Sequence, residues 1–498
     1  MRYHNQVPGY HIENFGCRAT QADGAALERQ FEQQGMSRAS NSSKASIVVM
    51  NTCTVTAGAD QDARAAIRRV RRHNPEAQIV VTGCYAQRAP EEIAALPGVS
   101  LVIGNSHKHV LAEIVSARRS ADVGPQISDH AFFPLASLLP KNVNEKAAAE
   151  RPIFVSDIFA HTELLAAPVF DAANERTRPN LKVQDGCDNR CSFCVIPFVR
   201  GQNRSLPINR VVTEVKGLVE SGYREVVISG INLGRWGRDL SEFQLSSSGI
   251  RASVTEGFGE PKNENSKATL EDLIRTILSE TGLEKLRISS VEPMDWTDEL
   301  ISLVASDARI AKHAHVPMQS GSDAVLRRMH RKYRPWHYRE KIEKIRAAVP
   351  TAAIGADVMV GFPGETASQF EATRRMVEDL PFTYLHVFTY SARPGTPAAA
   401  MTSQVPVQVA RERNRILREL ASEKKFSFMR GFIGRDVEAI TLNVMGNDSD
   451  GDFTEALTDN YLKLRLRGSH RPNQWLQARV EDVKDGVLVA ALLETVCT

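Results

Sequence analysis

At 498 residues, with 42% hydrophobic and 24% charged residues, the chain exceeds what one hydrophobic core organises and is expected to hold several domains. No run approaches the roughly 18 uninterrupted apolar residues of a membrane span, and the N-terminal stretch lacks the apolar centre of a secretion signal, so a cytoplasmic protein with no membrane partner is expected. Seven cysteines, an odd number at low density, argue against a disulfide framework and leave metal or redox chemistry, while a net charge of +3 decides nothing about partners by itself.

In chain order, residues 9–117 alternate strand-like apolar runs with helix-like segments, as in IVVMNTC (47–53), IVVTGC (79–84) and LVIGN (101–105). Between 118 and 178 this pattern gives way to an Ala-, Pro- and Ser-containing connection with a short apolar docking segment at 131–139. From residue 180 a second series follows: NLKVQDG, REVVISG, LRISSV, HAHVPM, IGADVMVGF and YLHVFTY, separated mostly by amphipathic helical stretches such as 208–221, 269–281, 336–349 and 366–380. Six strands with helical crossovers fit a parallel, curved or partial barrel. The polar segment 241–268 reads as an exposed insertion. A basic amphipathic helix over about 407–425 leads to several short strands with no intervening helix, which fits a small all-β barrel.

Three cysteines, Cys187, Cys191 and Cys194, occupy eight positions as C-x3-C-x2-C in VQDGCDNRCSFC. Closely spaced thiolates suit zinc or an iron-sulfur cluster, but a closed site of either kind takes four ligands and no fourth is near. The alternatives are a four-iron cluster with one open iron, a zinc site borrowing a distant ligand, and a plain electron-transfer cluster. Cys17, Cys53 and Cys84 each sit just beyond a strand, 36 and 31 residues apart. At the shared carboxyl edge of a parallel sheet they converge on a second three-thiolate site; the competing reading is three unrelated small core residues. Cys497 is read as incidental.

The C-x3-C-x2-C loop after the first strand of a βα series resembles the radical S-adenosylmethionine (SAM) superfamily, in which the methionyl group chelates the open iron and reductive cleavage yields a 5′-deoxyadenosyl radical. The resemblance implies cofactor-binding groups in SGIN, RISSVEP, MQSGS and DVMVGFPGE, which places Gly230, Asn232, Ser289, Ser290, Gln319, Ser320 and Gly361 near SAM, with Phe193 beside the cluster. Two three-cysteine sites followed by a β-barrel resemble the methylthiotransferases, which carry two 4Fe-4S clusters and a C-terminal TRAM domain. Within that family NTCTVT, VTGCYAQ, GINLGRWGRDL and HVPMQSGSD resemble the branch acting on N6-threonylcarbamoyladenosine at position 37 of tRNA, with Thr20 departing from the Asn that members commonly carry. The other branches act on isopentenyladenosine-37 or on an aspartate of ribosomal protein S12; a non-catalytic iron-sulfur RNA-binding protein is the alternative of another class.

The implied architecture is α/β and multidomain: a cluster domain over 1–119, a linker over 120–172, a partial (βα)6 TIM-like radical SAM barrel over 173–405, a connecting helix over 406–427 and an RNA-binding TRAM barrel over 428–496. The resemblance implies metal ligation by Cys17, Cys53, Cys84, Cys187, Cys191 and Cys194, and as partners a tRNA anticodon loop, a reductase as electron donor and a sulfur donor. In YLKLRLRG, alternation buries the leucines and presents Lys463, Arg465 and Arg467 on one face, which suits consecutive phosphates or a solvated edge equally. Arg411, Arg415 and Arg418, and Arg64, Arg68 and Arg72, add further basic strips at helical spacing.

Overall fold

The structure, a computed structural model, describes residues 8–122, 152–161, 164, 178–240, 267–448 and 451–493. Six strands open the chain: β1 (Gly9–Asn14), β2 (Ser37–Arg38), β3 (Ile47–Thr52), β4 (Gln78–Gly83), β5 (Val99–Gly104) and β6 (Ile153–Phe154). They form one sheet in the order β2-β1-β3-β4-β5-β6, and every pair is parallel. β3 is buried throughout its length because helices cover both faces. Tyr10, Ile47 and Val49 pack with Leu27, Phe31 and Leu111 on one side, and Val48 and Met50 pack with Ile67 and Val70 on the other. The helix Ala57–His73 starts where the Thr56 side chain accepts the Ala59 amide.

The expected linker is interrupted by structure at both ends. The helix Leu111–Asp122 runs past residue 118, and β6 adds itself to the sheet edge beside β5. The apolar segment 131–139 lies outside the described residues.

The second series contains β7 (Asn180–Asp185), β8 (Arg204–Ser205), β9 (Glu225–Gly230), β10 (Lys285–Ile288), β11 (His313–His315), β12 (Ala353–Val360) and β13 (Tyr384–Thr389). Two sheets, β10-β9-β7-β8 and β11-β12-β13, are joined by the parallel bridges Leu286–Ile310 and Ser290–His315. Apart from the short antiparallel β8, the strands run parallel in chain order. Helices Ile208–Glu220, Leu270–Glu280, Pro335–Ala348 and Ala367–Asp379 occupy the expected crossovers. Capping boxes, Thr269 with Asp272 and Thr366 with Gln369, set two of their starts. Alternate strand residues such as Leu181, Val226, Leu286, Ala314 and Ile354 meet these helices in one apolar core. The intervening residues, Lys182, Glu225, Arg287, His313 and Asp357 among them, face the other way, so the inner surface of the series is polar.

The long helix Val407–Arg430 extends five residues beyond the expected 425 and delivers Met429, with Phe432 after it, into the core of the last unit. There β14 (Asp436–Asp448), β15 (Gly451–Thr458), β16 (Lys463–Arg467), β17 (Trp475–Lys484) and β18 (Val487–Leu492) close into a barrel in the order β14-β15-β16-β18-β17. Leu462, Leu464 and Leu466 fill it as the alternation requires. Of the expected insertion, residues 241–266 lie outside the described residues.

Candidate functional site: two cysteine triads across one interface

The C-x3-C-x2-C loop follows β7 and is stitched to distant segments. The Cys187 amide donates to the Gly201 carbonyl, the Ser192 hydroxyl donates to the Arg328 carbonyl at 2.7 Å, and the Ala398 amide donates to the Ser192 carbonyl. Phe193 stands edge-on to Phe362, with ring centres 6.4 Å apart, in a patch with Met329 and Met359. This apolar wall shields one side of the loop. Polar N–H groups point at its sulfurs: the Asn189 amide lies 3.4 Å and Asn232 Nδ2 3.6 Å from Cys187 Sγ, and Arg331 Nη1 lies 3.2 Å from Cys191 Sγ. Arg331 also pairs with Glu292 and borders a cleft with Asn189, Arg235 and Met294. Burial pushes the Cys187 thiol up to about 11 and, with Cys191 adding to it, the Cys194 thiol up to about 12. A cation that displaces those protons relieves the cost of burying the thiolates.

The residues expected around SAM divide into two groups. Gly230 backs onto Gln184, whose Oε1 accepts the Asn232 amide at 2.7 Å, and Asn232 Oδ1 is buried without a partner among the described residues. Ser289 donates its amide to Ile228, Ser290 bridges to His315, and Gln319 Oε1 is also buried and unpartnered. Ser320 and Gly361 also have close protein neighbours. The Ser320 hydroxyl meets the Thr373 hydroxyl at 3.1 Å and accepts the Ser322 amide. Gly361, at φ +74°, lies so close to the helix Val407–Arg430 that a Cβ would stand 2.6 Å from that of Ala410.

Cys17, Cys53 and Cys84 follow β1, β3 and β4 at the carboxyl edge of the first sheet. Cys17 caps the helix Arg18–Gln33 and Cys84 opens a short helix. A Cβ on Gly16 would lie 2.8 Å from Cys53 Sγ, so the Cys53 sulfur rests against the backbone that leads into Cys17. Burial first, then Cys84 and Cys17, push the Cys53 thiol up to about 11. Thr20 places its hydroxyl 3.6 Å from Cys17 Sγ, and Asn105 Nδ2 lies 3.6 Å from Cys84 Sγ. Among the described residues no three His, Cys, Asp or Glu side chains are grouped as a single metal ion would require. All-thiol donor sets with N–H groups directed at sulfur fit iron-sulfur ligation in both places.

Sequence reasoning missed what joins the two triads. The helix Ile196–Arg200, directly after Cys194, packs Val195, Ile196 and Val199 on Cys84. Its Arg200 pairs with Asp23 at 3.0 Å and Asp185 at 2.9 Å, while Lys182 bridges the same two carboxylates and Lys108 adds to Asp23. Burial alone raises a carboxyl pKa, but these cations outweigh it and hold Asp23 and Asp185 well below the usual range. On the far side Arg88 and Arg393 share Asp60 and both reach Thr54, the residue after Cys53. The available signal was Asp23, a charged residue on the apolar face of its helix, and Lys182, a cation within a strand-like run.

The basic strips are less free than their spacing suggests. Arg465 lies 3.4 Å from Asp448 and Arg467 3.0 Å from Glu481, whereas Lys463 is exposed with no ion pair among the described residues. Arg415 pairs with Glu412 and Glu419, and Arg64 with Glu92.

Residues 9–104 match the Uncharacterized protein family UPF0004, and residues 181–377 match the Radical SAM superfamily. The chain is 34% identical to threonylcarbamoyladenosine tRNA methylthiotransferase of Aquifex aeolicus, over 92% of this chain and 96% of that protein. It is 32% identical to the same enzyme of Bacillus subtilis, over 92% and 90%. It is also 32% identical to tRNA-2-methylthio-N(6)-dimethylallyladenosine synthase of Novosphingobium aromaticivorans, over 94% and 88%. The fold is similar to that of the radical S-adenosylmethionine methyltransferase TsrM from Kitasatospora setae with cobalamin and 4Fe-4S cluster bound, at a TM-score of 0.53 and 15% identity, over 79% of this chain and 77% of that one. With the cysteine loop after the first strand of a parallel series and full-length relatives above 30% identity, the chain belongs to the radical SAM methylthiotransferase family, enzymes that use SAM and a 4Fe-4S cluster.

Proposed function

We propose that this enzyme converts N6-threonylcarbamoyladenosine at position 37 of tRNA to its 2-methylthio derivative, using two 4Fe-4S clusters. The observation that carries the two-cluster reading is the packing of Cys84 on Val195, Ile196 and Val199, just after Cys194, which supports the two triads lying close together. Six of the relatives at 31–34% identity bear the threonylcarbamoyladenosine name, which favours that branch over the dimethylallyl one.

In this reading Cys187, Cys191 and Cys194 would hold the cluster that would supply reductive SAM cleavage for hydrogen abstraction from the target C–H bond. Cys17, Cys53 and Cys84 would hold a second cluster that would supply sulfur, and a second SAM would provide the methyl group. Asn232 and Gln319, with buried unpartnered oxygens, and the segments at Gly230, Ser289, Ser290, Ser320 and Gly361 position SAM. Phe193 and the Met329–Phe362 wall exclude water from the radical. Arg331 steadies Cys191, and Arg200 fixes the helix that connects the triads. A single-stranded loop base is a suitable target because it can be splayed into a pocket.

The domain division 1–119, 173–405 and 428–496, the partial TIM-like barrel, the TRAM identity of the closing barrel, and Lys463, Arg465 and Arg467 as phosphate contacts belong to the same reading. So do a cytoplasmic setting, a reductase and a sulfur donor. Mass spectrometry of nucleosides from tRNA incubated with anaerobically reconstituted enzyme, SAM and a reductant tests it. A methylthio mass gain on threonylcarbamoyladenosine is expected; gain only on isopentenyladenosine, or on neither, overturns it.

A further inference from the structure

The polar inner face of the strand series holds a cluster that neither triad uses. Arg18, the residue after Cys17, extends to the hydroxyl of Tyr461, at 3.2 Å, on the turn between β15 and β16. Arg287 and Arg178 lie over the Tyr461 ring at 5.3 and 5.8 Å, and Arg287 Nη1 donates to the Asp459 carbonyl. This seat holds Tyr461 at φ +71°, a left-handed backbone that costs a bulky residue energy and persists only where its surroundings enforce it. The final barrel therefore contributes a side chain to the inner face of the strand series. Arg287 on β10 and Tyr384 on β13 both meet that ring, although three strand spacings separate them, so the series curves around it.

His313 and Tyr384 bond through Nε2 and hydroxyl at 2.7 Å with their rings stacked. Gly355 allows it: a Cβ there would lie 2.1 Å from the Tyr384 ring. One layer up, the His315 ring stands 5.6 Å from that of His386. His315 is only 9% exposed, and its Nε2 has no hydrogen-bond partner among the described residues, with Asp357 Oδ1 3.5 Å away. Arg18 and His386 are exposed to solvent, so the cluster is reachable.

The charges are unevenly matched. Glu225 serves both Arg287, at 2.5 Å, and Arg178, at 3.9 Å. Arg18 has a phenol and, among the described residues, no carboxylate. A fixed cation with idle N–H groups, in the same cluster as an idle imidazole nitrogen and one carboxylate acceptor, matches a ligand that bears both a carboxylate and a hydroxyl.

We propose that Arg18, together with His315 and His386 of the same cluster, receives the carboxylate of the N6 substituent of the target adenosine, and that Asp357 accepts its hydroxyl. This rests on the threonylcarbamoyl reading and names the residues that choose it. An apolar isopentenyl group would strip water from Arg18 and His315 and return no hydrogen bond, which is how such sites reject analogues.

The test uses the reconstituted full chain and anticodon stem-loops bearing threonylcarbamoyladenosine, isopentenyladenosine or plain adenosine at the target position, read by fluorescence anisotropy, with SAM affinity measured in parallel by equilibrium dialysis. Wild-type enzyme should bind the threonylcarbamoyl loop at least about tenfold tighter than the isopentenyl loop. Arg18→Met should erase that preference. Tyr461→Phe, which frees Arg18 without touching the neighbour of Cys17, should reduce it and carries the test if Arg18→Met loses iron. Equal binding of the loops by wild type, or a preference that survives both substitutions, overturns the proposal. Lost SAM affinity with the preference intact also overturns it and assigns the cluster to the methionyl carboxylate. A methylthio gain on threonylcarbamoyladenosine with no Arg18 effect sinks this inference alone; absence of that gain in wild type sinks the functional reading beneath it.

Discussion

Arg331 lies between Cys191 and Glu292, with one guanidinium nitrogen 3.2 Å from the sulfur and the other on the carboxylate. A cation donating to a cluster sulfur favours the reduced, more negative state. Arg331→Met is expected to lower the reduction potential of the cluster proposed at Cys187, Cys191 and Cys194 by on the order of 60 mV, one tenfold step for a one-electron couple. Redox titration followed by electron paramagnetic resonance checks it; an unchanged or raised potential would contradict the assignment.

Asp23 is buried against Lys108, Lys182 and Arg200, so Asp23→Asn leaves cations without their counter-charge. Breaking one partner from such a network costs about 3–5 kcal/mol. Because those cations hold the folded Asp23 carboxyl below its unfolded value of about 3.9, the contribution is complete above that value and fades as the pH falls toward the folded one. The Tm gap between wild type and Asp23→Asn should stay constant from pH 8 to about 5 and narrow below about 4. A gap that widens in acid would refute this electrostatic account.

Gly355→Ala drives a methyl group into the Tyr384 ring and should cost about 1–3 kcal/mol as an overpacked site. Thermal melts should show that loss. An alanine tolerated without change would mean that Tyr384 does not lie across β12.

Of the three cations on β16, Lys463 alone lacks an acidic partner among the described residues. Lys463→Ala should weaken tRNA binding equally for modified and unmodified loops and reduce the slope of log affinity against log salt by about one. An unaltered slope would remove Lys463 from the phosphate path.

The parts legible in the sequence are those encoded locally. Short apolar runs such as IVVMNT and AIGADVMV gave their strands because their apolar side chains are buried against helices, and the three early cysteines could be placed because each follows a strand within three residues. Arg331, Arg200 and Arg393 were not legible, since their partners lie 140, 177 and 333 residues away in sequence. β6 has two residues and no periodicity to detect; only its place beside β5 makes it a strand. The contact of Ser320 with Thr373 was not legible, because a serine after a strand has two directions to face and Thr373 lies on a later helix. The pairing of Arg465 and Arg467 escaped for the same reason: alternation identifies the outward face, while the acids across it come from β14 and β17.

Both triads are proposed as cluster sites, so iron and acid-labile sulfide counted per chain after anaerobic reconstitution is the decisive measurement. Wild-type protein should carry two four-iron clusters, and changing Cys17, Cys53 and Cys84 together to alanine should halve both counts, as should changing Cys187, Cys191 and Cys194. Counts left unchanged by the first triple substitution would contradict the second cluster and the sulfur-transfer role built on it.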